Sequence, residues 1–139
     1  AYWMEKGLFQ DLLRSIFAQL SRAGVRIVVG HGHGPSTNAF QEMKEEAEEK
    51  YGLCIMTAWT YADDERLKYQ NDHAGANETS IVMAVRPELV DFGQVKEDES
   101  NLIGIAGRHP EAFGNEILEY TMKTLIAGIE KEYKTIKER

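Results

Sequence analysis

Leu8, Leu12, Leu13, Ile16, Phe17 and Leu20 recur at helical spacing, which predicts an amphipathic helix over 5–23 with all six on one face and Gly24 as its stop. The next run, Val25 to Val29, is short, apolar and rich in β-branched residues, as in a strand buried on both faces of a parallel sheet. A second helix is expected from an N-cap at Ser36 or Thr37 to about Lys50, with Phe40, Met43 and Ala47 inward and the charged block EEAEEK as a solvated face. Leu53 to Thr57 reads as a second strand, and residues 61–72 as a polar loop. A third helix containing ETSIVMAV must stop before Pro87, because the residue preceding proline is pushed out of helical geometry. Residues 93–101 read as an exposed loop, and a last helix over about 111–136 places Phe113, Ile117, Tyr120, Leu125 and Ile129 along one side. Helices alternating with short apolar strands imply one α/β domain over residues 1–139, with a mostly parallel sheet between two helix layers.

Composition narrows the partners. A net charge of −7 lacks the clustered cations that displace counterions from a phosphate backbone, so no nucleic-acid partner is expected. No segment approaches the roughly 20 apolar residues of a membrane span. The single cysteine, Cys54 in LCIM, forms no internal disulfide and reads as a small buried hydrophobe. A cytoplasmic location is the default expectation.

Candidate chemistry gathers after the first strand. The stretch GHGHGPSTN, residues 30–38, holds His31 and His33 between Gly30, Gly32 and Gly34. Ligands of open α/β sheets bind at the carboxyl ends of the strands, where this loop and the loop carrying His73 are both expected. Glycine tolerates positive φ and lets the backbone approach a bound species. Imidazole and carboxylate are the usual ligands of zinc, manganese and iron, and NDHAGANETS, residues 71–80, adds Asp72, His73 and Glu78. Spacing alone leaves two readings open: a metal site, or histidines that cap and hydrogen-bond loops, with Glu78 a helix cap or structural ion pair. Trp59 and Tyr61 line a pocket mouth or pack, and His109 reads as a surface histidine.

The segment NDHAGANETSIVMAVRPELVDF resembles the signature of the creatininase (creatinine amidohydrolase) family. The matching residues are His73-Ala74-Gly75, Glu78-Thr79-Ser80 and Pro87-Glu88-Leu89-Val90. Upstream, GVRIVVGHGHGPSTNAF is similar to the family's strand and histidine–glycine loop, and downstream GIAGRHPEAFGNEILEY is similar to its glycine-containing turn and closing helix. In that register the family's metal-binding histidine falls on His33, while His31 stands where the family carries asparagine and is a neighbouring candidate ligand. Pro35 and Ser36 depart from the family's usual Gly-Asn, and creatininase itself has a glutamate there.

The resemblance implies a three-layer α/β/α fold of which this chain is the second half. Three further metal ligands, a glutamate, a histidine and an aspartate, would then lie upstream of Ala1 or on a separate N-terminal half chain. It implies a metal-dependent amidohydrolase that splits a non-peptide C–N bond of a small cyclic or linear amide through a metal-activated water. Glu78 would be a metal ligand in the catalytic site and His73 the proton shuttle or a substrate contact. Zinc is the first expectation for the ion, with manganese or iron as alternatives. Closed homo-oligomers are expected as well. The competing reading is a non-catalytic creatininase-like module that binds a small molecule or supports an oligomer.

Overall fold

The computed structural model describes residues 4–69, 75–91 and 110–138. They fall into two compact units, Ala1–Tyr61 with Thr124–Arg139, and Ala62–Lys123.

The first unit opens with helix α1, Lys6–Arg22. It ends in a Schellman motif: Gly24 turns left-handed at φ 83°, and the Val25 and Gly24 N–H groups donate to the Leu20 and Ser21 carbonyls. Strand β1, Ile27–Gly30, follows, then helices α2, Gly34–Gln41, and α3, Lys44–Tyr51, and strand β2, Cys54–Thr57. The strands pair in parallel, from Ile27 opposite Cys54 to Gly30 opposite Thr57. Among the described residues the sheet has these two strands, and those residues are mostly helical with this small parallel sheet.

The core gathers Leu13 and Phe17 from α1, Phe40 from α2, Met43 and Ala47 from the start of α3, and Leu53 and Ile55. The Phe17 ring meets Phe40 and Tyr51 edge-on, with centroids 6.0 and 5.9 Å apart. Three expectations are corrected here. The six apolar positions of α1 span about half the helix circumference at 3.6 residues per turn. The core takes only the Leu13 and Phe17 side, and Leu8, Leu12 and Ile16 remain 60%, 49% and 41% exposed. Strand β1 is not buried on both faces, because Val29 is exposed. The single second helix is two helices, and its start lies earlier than Ser36 or Thr37, at an N-cap on His33. Pro35 suits a first turn, where its missing N–H has no partner to lose, and the Thr37 hydroxyl bonds back to the Gly34 carbonyl at 2.9 Å instead of capping. At the break the Met43 N–H donates to the Phe40 carbonyl at 3.1 Å, which keeps both side chains in the core.

The block EEAEEK is less uniformly solvated than its charge suggests. Arg14 of α1 grips Glu46 with two parallel hydrogen bonds, each 2.9 Å, and Lys50 adds a third at 3.0 Å. The Arg14 guanidinium first and the Lys50 ammonium second hold the Glu46 carboxyl at about 2.

In the second unit a 3₁₀ turn, Asp64–Tyr69, precedes helix α4, Ala76–Val85. Helix α5, Pro110–Lys137, supplies its first part to this unit and its last part to the first. Arg86 leaves the helix at φ −145°, as expected before Pro87. Tyr69 is buried, donates to Glu116 at 2.5 Å and packs on Tyr120, whose own hydroxyl donates to Asp63 at 2.7 Å. The Glu116 carboxylate and burial push the Tyr69 phenol up to about 12. Gly114 of α5 lies so close to α4 that an added Cβ would collide with the Ser80 backbone carbonyl. The expected exposed loop at 93–101 lies outside the described residues.

Two outcomes follow from this packing. Gly114→Ala should lower stability by about 1–3 kcal/mol in a thermal melt, because the collision is with backbone. Gly7→Ala, with open space around its added Cβ, should be neutral or stabilising by up to about 1 kcal/mol; equal losses from both would contradict the α4–α5 approach. For Glu46, the folded carboxyl binds fewer protons than the unfolded one between its ordinary 4.5 and about 2. The stability it contributes is therefore complete above 4.5 and lost as pH falls toward 2. The melting-temperature gap between the parent chain and Glu46→Gln should close across that window, and a gap that does not change with pH would show the ion pair to be inert.

Candidate functional site

The carboxyl ends of the two strands meet at Gly30 and Thr57. Gly30 is required there for packing: a Cβ would sit 2.6 Å from the Phe40 ring, so only glycine lets that ring close on the strand end. Positive φ has no part in this loop. Among the described residues the left-handed glycines are Gly24 and Gly52, which corrects the expected role of Gly32 and Gly34. Both leave open space where a side chain would stand.

His31 and His33 are exposed on this loop. His33 has extended backbone, φ −66° and ψ 145°, and its carbonyl accepts the Ser36 and Thr37 N–H groups, each at 3.0 Å. The backbone of His33 starts the helix, and its imidazole makes no capping hydrogen bond. The capping reading of this histidine thus belongs to its main chain.

Opposite Gly30, Thr57 is buried and bound on two sides. Its N–H donates to the Thr60 hydroxyl at 2.7 Å, and its own hydroxyl accepts from the Gln41 amide at 3.0 Å. Gln41 closes α2, so this network ties the far end of that helix to the strand whose partner carries the histidines. Sequence reasoning missed Gln41, Thr57 and Thr60. The available signal was a threonine ending an apolar strand with a second threonine three residues later. Tyr61 packs on Gly128, donates to Glu132 and carries Lys131 over its ring at 4.4 Å, which is a packing role.

Glu78 stands half-buried in the first turn of α4, where a carboxylate also complements the positive end of the helix dipole. It belongs to the second unit, and His31 and His33 to the first. His73, Asp72 and His109 lie outside the described residues. Among the described residues no group of three His, Cys, Asp or Glu side chains is gathered to hold a metal. The strand-end loop itself offers two exposed imidazoles beside open space, a donor set suited to a borderline divalent ion but short of the three protein ligands usual for catalytic zinc. Among the described residues no helix is long and apolar enough to cross a membrane.

The family model named Creatininase and described as creatinine amidohydrolase matches residues 1–127 of the 139. No curated protein and no solved structure matches the chain. The chain belongs to the creatininase family.

Proposed function

We propose that this creatininase-family chain is part of a metal-dependent amidohydrolase that opens a non-peptide C–N bond in a small cyclic or linear amide. The observation that carries the reading is the family match over residues 1–127, which spans both the His31–His33 loop and Glu78. Membership points to amidohydrolase chemistry, and metal dependence, zinc before manganese or iron, is the finer part of the proposal. His33 would be one ligand, with His31 beside it, and Glu78 another. When bound, the ion lowers the pKa of a water toward neutrality and polarises the amide carbonyl. His73 would move the proton from the attacking water to the leaving nitrogen, the step that makes an amine a competent leaving group. His33 is suited to its part because its main chain is already fixed by two helix-starting hydrogen bonds and its side chain is exposed. The three-layer arrangement and a closed homo-oligomer belong to the same proposal.

The test is metal content and turnover on a panel of small amides, measured on the same samples of the complete protein. His33→Ala should lose more metal than His31→Ala; equal loss would show that the register is wrong or that both bind. His73→Ala should keep its metal and lose about 10²–10⁴ in turnover, the usual range for a general acid or base. Glu78→Gln should lose both, since removing a ligand's charge weakens the ion and the water it activates. If none of these changes moves metal or rate, the chain is a non-catalytic module.

A further inference from the structure

The opposite ends of the same two strands frame a second feature of the first unit. A cavity of about 500 Å³ is lined by Arg26, Lys44, Glu48, Leu53, Cys54 and Glu132 among others. Arg26 precedes β1 and Cys54 opens β2, and the Cys54 N–H donates to the Arg26 carbonyl at 2.8 Å, so the first rung of the sheet backs the cavity. Lys44 and Glu48 stand one turn apart on α3. Glu132 comes from the last part of α5 and is held by the Tyr61 hydroxyl. Cys54 is therefore not the fully buried hydrophobe expected from LCIM: it is half-buried at a polar cavity, where desolvation and the Glu132 carboxylate push its thiol up to about 11.

The charges on this wall are balanced, and its cations are incompletely used. Arg26 donates only to the Val25 carbonyl, at 3.2 Å, and among the described residues neither Arg26 nor Lys44 makes an ion pair. Two cations and two carboxylates around one cavity favour a ligand that carries both signs, since an ion of either sign alone meets like charges as well as opposite ones. The volume lies within the roughly 300–1,000 Å³ of small-molecule sites. We propose that this cavity binds a small zwitterion, its carboxylate answering Arg26 and Lys44 and its ammonium or guanidinium group answering Glu48 and Glu132. The site is distinct from the histidine loop, which lies at the other ends of the strands, and its existence does not depend on the amidohydrolase reading.

Cys54, the chain's single cysteine, is a built-in reporter. The rate of its alkylation by uncharged iodoacetamide would be measured on the full chain with a length series of ω-amino acids, from glycine to 6-aminohexanoate. Butyrate and butylamine serve as single-charge controls. At least one member of the series should slow alkylation saturably by about threefold at twice its dissociation constant, as mass action requires, while the controls do not. Lys44→Ala and Arg26→Ala should each abolish that protection, read for each variant as the ratio of its own rates with and without ligand. Lys44 is exposed on a helix, so its variant keeps the test decisive if Arg26→Ala folds poorly. Absence of protection across the whole series, equal protection by butyrate, or protection that survives Lys44→Ala would each overturn the proposal.

Discussion

The parallel pairing of Ile27–Gly30 with Cys54–Thr57 depends on one close approach, the Phe40 ring against the bare α-carbon of Gly30. Because no side chain intervenes, α2 returns over the sheet directly after the histidine loop. Its Phe40, followed by Met43 and Ala47, then fills the core that Leu13 and Phe17 of α1 close from the other side. A parallel pair of two short strands has little stability alone, since such sheets rely on burial by the helices that connect them. The glycine is thus the point at which strand pairing, helix return and core formation meet.

That arrangement also gives the unit two chemically different ends. At the carboxyl ends, exposed imidazoles sit on a main chain held by helix-starting hydrogen bonds and by the Gln41, Thr57 and Thr60 network. At the amino ends, charged side chains and a thiol surround a cavity. The first end carries the residues that creatininase membership makes significant, and the second carries charged residues to which the sequence reading assigns no site role.

Periodicity made α1, both strands, α4 and α5 legible through their apolar patterns, and Gly24 and Pro87 supplied the physical stops of α1 and α4. It does not show how much of an apolar arc the core takes: Leu8, Leu12 and Ile16 share the arc with Leu13, Phe17 and Leu20 but stay exposed. The break between α2 and α3 carries no proline or glycine and arises from packing Phe40 and Met43 together, which is a tertiary effect. His33 was legible through the motif, but its main-chain capping role was hidden by Ser36 and Thr37, better caps by residue type. The cavity was illegible because Arg26, Lys44, Cys54 and Glu132 are far apart in sequence and share no motif.

The most direct measurement of whether the strand-end loop is the ion-binding end uses Mn²⁺ as a paramagnetic probe of the backbone amide resonances. Substoichiometric Mn²⁺ should broaden the amides of His31 to Thr37 first, and leave those of Arg26, Lys44 and Cys54 at the other end sharp until more ion is added. Broadening that begins around Arg26 and Cys54, or that spreads evenly over exposed carboxylates with the His31–His33 loop untouched, would contradict a metal role for this loop.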